Sequence, residues 1–207
     1  MIAIVDYGAG NLRSVMNALT MLGYQAMVTR ECECVLSAEA VVFPGVGAAG
    51  DTMRSLCDSG MAGAIRERIH RGRPTLAICV GMQVLFSATE EGGGHQCLGV
   101  VPGVVRRLPS GLKVPHMGWN QVKQMTSHPI FAGIPDEANF YFVHSYYAHP
   151  EDGEGVAGTT EYGVPMCSVF VQDNVVATQF HPEKSGELGL TVYGNFFRMA
   201  GIASRGE

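Results

Sequence analysis

Apolar residues in the first half of the chain fall into short unbroken runs separated by stretches with helical spacing. Ile2 to Val5 is an apolar run of strand length, and Leu12, Val15, Met16, Leu19 and Leu22 follow at the spacing of one helix face. An extended stretch, Tyr24 to Val28, comes next. Ala40-Val41-Val42-Phe43 reads as a buried strand that breaks at Pro44-Gly45. Met61, Ala64, Ile65 and Ile69 then mark a helix whose other face carries Arg66, Arg68 and Arg71. Pro74 introduces the strand Thr75 to Ile78, which runs into a helix predicted from about Gly81 to Ser87. Fully apolar strands alternating with helices predict a parallel sheet with helices on both faces.

The second half is strand-rich. Val100 to Arg106, Val114 to Trp119, Phe140 to Tyr147, Met166 to Val171 and Val175 to Phe180 have β-type composition, with Gln172-Asp173-Asn174 as a hairpin turn. A helix from about Ser185 to Met199 follows. Glu90 to Cys97, with three consecutive glycines, reads as a flexible loop. No repeat or linker interrupts the pattern, so residues 1–207 are expected to form one domain.

Composition narrows the partners. The chain has 14 basic and 19 acidic residues, a net charge of −5. With no basic stripe, this argues against a nucleic-acid backbone or an anionic membrane as the main partner. Charged residues are 16% of the chain, against about 25% in ordinary domains, which predicts that another chain covers part of the surface. The uncharged stretch Pro74 to Thr89 is 16 residues long and contains Gln83 and Ser87, short of the ~18 that a spanning helix needs. The N-terminal run lacks the basic segment of a secretory signal. Six cysteines at irregular spacing then read as free thiols in a reducing cytoplasm. Cys32 and Cys34 lack a second ligand pair, so no metal site is expected, and no cofactor.

In an open α/β sheet, ligands bind beyond the carboxyl ends of the strands, and three loops there carry candidate chemistry. Asp6 to Arg13 is glycine-rich but matches a dinucleotide fingerprint poorly, and a tight strand-to-helix turn explains it as well. Ala77-Ile78-Cys79-Val80-Gly81 places a thiol on a sharp strand-to-helix turn between small residues, the shape of a nucleophile elbow. First-turn amides would favour a thiolate there, although a lone cysteine can also be a small buried hydrophobe. His181-Pro182-Glu183 follows the last strand, where residues two apart project to one side. An imidazole and the carboxylate that orients it can therefore sit together and serve the thiol. Pro44-Gly45-Val46-Gly47 could bring backbone amides, with that of Val80, to a developing oxyanion, or could simply turn the chain.

These three segments, in this order, resemble the triad-type (class I) glutamine amidotransferases. Lys113 to Asn120, Tyr141 to Tyr146 and Gln179 to Ser185 are similar to the glutaminase subunits of imidazole glycerol phosphate synthases, and the likeness spans essentially the whole chain. The Pro-His-Met-Gly-Trp-Asn segment is the discriminating feature. The resemblance implies a flavodoxin-like α/β fold with a mostly parallel central sheet and antiparallel strands in the C-terminal half. It implies glutamine hydrolysis through a thioester on Cys79, with His181 as base, Glu183 as orienter, and Gly45, Val46, Gly47 and Val80 around the oxyanion. It places substrate contacts at Gln83, Glu91 and Ser145. Trp119, Asn120, Tyr141 and Lys184 fall on the partner-facing and channel side, the partner being a (β/α)-barrel cyclase in a heterodimer. His116 and His144 lack a carboxylate two residues on and are expected to be hydrogen-bonded structural residues. Ala77 and Ala49 depart from the family's usual glycine and aromatic. A glutaminase serving another synthase and a non-catalytic partner-binding module are the alternatives.

Overall fold

The computed structural model describes residues 1–204. The first half builds β1 (Ile2–Val5), α1 (Leu12–Met21), β2 (Ala26–Thr29), α2 (Cys32–Ser37), β3 (Ala40–Gly45), α3 (Ala49–Asp58), α4 (Met61–His70), β4 (Thr75–Cys79) and α5 (Val80–Gln83). The second half builds β5 (Phe86–Thr89), β6 (His95–Gln96), β7 (Val101–Arg107), β8 (His116–Gln124), β9 (Ala138–His144), β10 (Tyr146–Pro150), β11 (Val156–Glu161), β12 (Pro165–Gln172), β13 (Val175–Thr178) and α6 (Gly186–Met199).

The main sheet has the order β2-β1-β3-β4-β13-β12-β11-β8-β9. The strands from β2 to β13 are parallel, and every pairing from β13 to β9 is antiparallel. β1, β3, β4 and β13 are buried along their whole length, as their uninterrupted apolar sequences require. The helices form two groups: α2, α3 and α4 pack together, while α1 and α6 meet around Pro182–Lys184. Register pairs Gly45 with Cys79 and Thr178 with Ile78, so the carboxyl ends of β3, β4 and β13 lie side by side. A smaller sheet, β10-β7-β5-β6, packs through β10 against β12 and α5.

Several expectations change. The helix after Cys79 is one turn, not a run to Ser87, because the carbonyls of Val84 and Leu85 accept from Leu98, Val100 and Val101 rather than from the next helical turn. Phe86 onward is therefore strand. Phe140 to Tyr147 divides at Ser145 into β9 and β10, which belong to different sheets. The glycine loop after Glu90 is not irregular throughout: Glu91–Gly93 forms a 3-10 turn and His95–Gln96 pairs with β5.

Arg68 does not face solvent with Arg66 and Arg71. It is fully buried, and its terminal nitrogens donate to the carbonyls of Val35, Ala38, Glu39 and Pro74 at 2.8–3.2 Å. Burial, with the Arg73 charge nearby, lowers its pKa to about 10. A rigid fork of donors meets orphan carbonyls at element ends, which is why a charge is tolerated there. Among the described residues, no helix is long and apolar enough to cross a membrane.

Candidate active site

Cys79 closes β4 with φ 55° and ψ −112°, a conformation that costs a side-chain-bearing residue energy. Close packing holds it there. A Cβ on Gly81 would collide with the Phe43 carbonyl oxygen, and one on Gly45 with the Gly81 amide nitrogen, so only glycines let β3 and the elbow touch. The preceding Ala77 is fully buried, and its methyl group is accommodated. Cys79 is itself buried, with Sγ 3.9 Å from the Val143 carbonyl and 3.7 Å from Gln179 Nε2, which donates to it.

His181 and Glu183 come from the segment just beyond β13. His181 Nδ1 lies 2.8 Å from Glu183 Oε1, and the two side chains are 2% and 1% exposed. Asn11 Nδ2 donates to the same carboxylate oxygen at 3.4 Å, so the glycine-rich first loop serves as a brace for this pair. The imidazole backbone is fixed as well. His181 N–H donates to the Tyr141 carbonyl, and the Ser185 hydroxyl donates to the His181 carbonyl while accepting from the Tyr141 amide. Burial opposes a charge on the ring, but the Cys79 and Glu183 side chains facing it outweigh that and push the His181 pKa up to about 10.

A cavity of about 370 Å³ opens over these groups, lined by Val46, Gly47, Val80, Gln83, Glu91 and Ser145 together with Cys79, His181 and Lys184. This lies within the ~300–1,000 Å³ range of small-molecule sites. Gly47 has φ +90° and space around its α-carbon, so it is needed for conformation rather than clearance. Glu91 accepts from the Ala49 amide at 2.6 Å and thereby caps α3 while bordering the cavity. Both amide hydrogens of Gln83 are committed, to the Tyr146 carbonyl at 2.8 Å and to Gln179 Oε1 at 3.0 Å. Only its Oε1 is left for a ligand. Gln179 was missed by sequence reasoning as a site residue. The available signal was its place two residues before His181 in the same extended segment.

The residues expected to face a partner separate into two sets. Trp119 and Met117 are 58% and 61% exposed on one face of β8. Trp119 meets the half-buried Tyr141 ring edge-on at 6.1 Å, and Lys184 Nζ sits 5.8 Å from that ring's centre. Asn120 lies on the other face, with its amide on His116 and the Glu161 carbonyl. Among the described residues, no group of three or more His, Cys, Asp or Glu is placed to hold a metal ion.

This geometry, a thiol on a strained strand-to-helix turn beside a carboxylate-oriented imidazole at the carboxyl edge of a parallel sheet, agrees with comparison to known proteins. The family model "Glutamine amidotransferase class-I" matches residues 3–200, and the chain belongs to that family. Solved structures share the fold. A crystal structure of a glutamine amidotransferase superposes with a TM-score of 0.76 at 21% identity, covering 98% of this chain and 100% of that one. PurLQS from Thermotoga maritima gives 0.73 at 19% identity, covering 96% and 97%. Within the family, the chain groups with proteins named imidazole glycerol phosphate synthase subunit HisH. That of Dehalococcoides mccartyi (strain CBDB1) is 58% identical over 200 residues, 97% of this chain and 98% of the relative. That of Herpetosiphon aurantiacus is 52% identical over 207 residues, 100% and 97%.

Proposed function

We propose that this chain is the glutaminase subunit of an imidazole glycerol phosphate synthase. It hydrolyses glutamine to glutamate and ammonia and delivers the ammonia to a (β/α)-barrel cyclase subunit for imidazole ring formation in histidine biosynthesis. The observation that carries this reading is the Cys79–His181–Glu183 constellation, opening on one cavity in a chain 58% identical to a HisH subunit.

In this reaction Cys79 passes its thiol proton to His181 and its Sγ attacks the side-chain amide carbon of glutamine. The C–N bond breaks as His181 gives a proton to the departing ammonia, leaving a glutamyl thioester. Water then adds to the thioester while His181 takes its proton; glutamate leaves and the thiol is restored. Glu183 holds the His181 ring in the orientation that presents Nε2 to sulfur. Backbone amides from Gly45 to Gly47 and that of Val80 receive the developing oxyanion. Glu91, Ser145 and the Oε1 of Gln83 are the polar groups available to the amino-acid end of glutamine, whose burial requires paired partners. Met117 and Trp119, with Tyr141 beside Trp119 and Lys184 at the cavity, form the docking face for the cyclase, since exposed aromatic anchors favour an interface. Six cysteines free of disulfides suit a cytoplasmic setting.

Ammonia release measured with and without the cyclase and its bound ligand tests the proposal. Slow turnover alone, a large increase with the partner, and loss of both in Cys79→Ala are expected. Activity that survives this substitution overturns it.

A further inference from the structure

The buried face of β8 and β9 carries two histidines that the chemistry above does not use. His116 and His144 are directly opposite across the antiparallel pair, with Nδ1 of the first 3.0 Å from Nε2 of the second. They are 4% and 6% exposed, and His116 is stacked between Phe142 and Tyr162 at centroid distances of 5.0 and 4.0 Å. Each contacts a further polar group at its remaining nitrogen, His116 the side chain of Asn120 and His144 the Tyr146 carbonyl, and the second of these leads to the sulfur of Cys79.

The hydrogen positions follow from the end of the chain. A carbonyl only accepts, so His144 Nδ1, 2.8 Å from the Tyr146 oxygen, must carry the hydrogen. A neutral His144 then presents a lone pair at Nε2, and His116 Nδ1 must donate to it. His116 Nε2 is in turn a lone pair that accepts from Asn120 Nδ2 at 3.2 Å. The orientation of Asn120 is fixed independently, because its Nδ2 also donates to the Glu161 carbonyl at 3.1 Å and its Oδ1 accepts from the Gln121 amide at 2.8 Å. On the other side of the same Tyr146 carbonyl, Gln83 Nε2 donates and also donates to Gln179 Oε1. The Gln179 amide can therefore turn only one face to Cys79, its Nε2 donor.

Neutrality of both rings is favoured by their surroundings. Burial, with His116 and His181 as neighbouring groups that disfavour a further positive charge, lowers the His144 pKa to about 3 despite the opposing bond to Tyr146, and burial also lowers that of His116. Reversing any link would set donor against donor or acceptor against acceptor in a buried site, where an unmet polar group is costly.

We propose that His116 and His144 are positioning residues. Through His144 they donate from one side to the Tyr146 carbonyl, which accepts from Gln83 on the other, and by fixing that shared acceptor they form a relay that runs on through the amides of Gln83 and Gln179 and holds a hydrogen-bond donor on the Cys79 sulfur. The inference rests on the reading of Cys79 as nucleophile. It starts at Asn120, on the strand whose opposite face displays Trp119.

Inactivation of the full-length chain by 6-diazo-5-oxo-norleucine, a glutamine-like electrophile, separates chemistry at sulfur (kinact) from binding (KI). His144→Phe and Gln179→Met should each lower kinact roughly tenfold, the scale of one buried hydrogen bond; KI should stay within about twofold in Gln179→Met, and His144→Phe, whose side chain also borders the cavity, is read on kinact. The double variant should be no worse than the weaker single one, and His144→Gln, which keeps a donor and an acceptor, should recover most of the rate. Unchanged kinact in the single variants, or losses that multiply to about a hundredfold in the double, overturn the relay. Nitrogen NMR of the unsubstituted chain needs no variant to fold. Both rings should be neutral and hydrogen-bearing at Nδ1 near neutral pH, and a hydrogen on Nε2 of either ring overturns the assignment. If the unsubstituted chain is not labelled at Cys79, the nucleophile reading fails instead, and the tautomers alone decide the relay.

Discussion

The two ends of the central sheet both have a cavity, a buried polar side chain and tight packing, yet among the described residues only one end gathers a thiol, an imidazole and a carboxylate. At the amino ends of β4 and β13 the larger cavity, about 540 Å³, is bordered by Arg66, His70 and Asn174. No thiol or hydroxyl there meets a carboxylate-oriented base. Nearby, the two terminal nitrogens of Arg68 donate to four backbone carbonyls, while its buried Nε has no partner among the described residues. At the carboxyl ends the smaller cavity receives a strained cysteine, a histidine with one nitrogen unoccupied by a conventional partner among the described residues, and a carboxylate oxygen in the same condition. Volume does not locate the function. A thiol, an imidazole and a carboxylate of complementary chemistry converging on one cavity do, whereas a charge spent on backbone carbonyls marks a structural role.

The sharpest way to break this comparison is to disturb one end and measure both activity and stability. Glu183→Gln should reduce glutamine turnover by about 10³- to 10⁴-fold, as when the orienting carboxylate of a triad is neutralised. The same substitution should lower the His181 pKa from its folded value of about 10, read by NMR titration. The sign for stability follows. A histidine pKa raised on folding contributes stability that is fully present below its unfolded value, about 6.5, and lost as pH rises through about 10. The unsubstituted protein should therefore lose stability over that window, and Glu183→Gln should flatten the loss in denaturant titrations. A slope unchanged by the substitution would contradict the assigned cause.

Arg68→Ala sharpens the comparison from the other end. Four carbonyls would lose their donor, and a cost of about 3 kcal/mol in chemical denaturation is expected. Turnover by the fraction that remains folded should stay within about twofold, because the two ends share no partner. A loss of activity beyond that would mean that the ends are coupled.

Much of the candidate site's arrangement was legible in sequence because it is local. The elbow lies within five residues, and His181 and Glu183 are two apart on one side of an extended segment. Strand identity was equally legible where both faces are buried, as in β1, β3 and β4. What escaped depends on contacts between distant segments. The short reach of α5 is set by Leu98, Val100 and Val101, which take the carbonyls a longer helix would use. Arg68 shows an ordinary polar-face spacing until the carbonyls of Val35, Ala38, Glu39 and Pro74 surround it. α3 hides its buried stripe, Ala49, Thr52, Met53 and Leu56, behind a polar threonine and two alanine- and glycine-sized steps. His116 and His144 read as hydrogen-bonded structural residues, and only their cross-strand register shows that they bond to each other.

The central claim is that Cys79 forms the covalent intermediate with glutamine. Acid-quenched samples taken during steady turnover, analysed by intact mass and peptide mapping, test it most directly. The account predicts a glutamyl thioester on Cys79 that hydroxylamine removes and that is missing in Cys79→Ala. Sustained ammonia release with Cys79 unmodified, or an adduct on another residue, would contradict it.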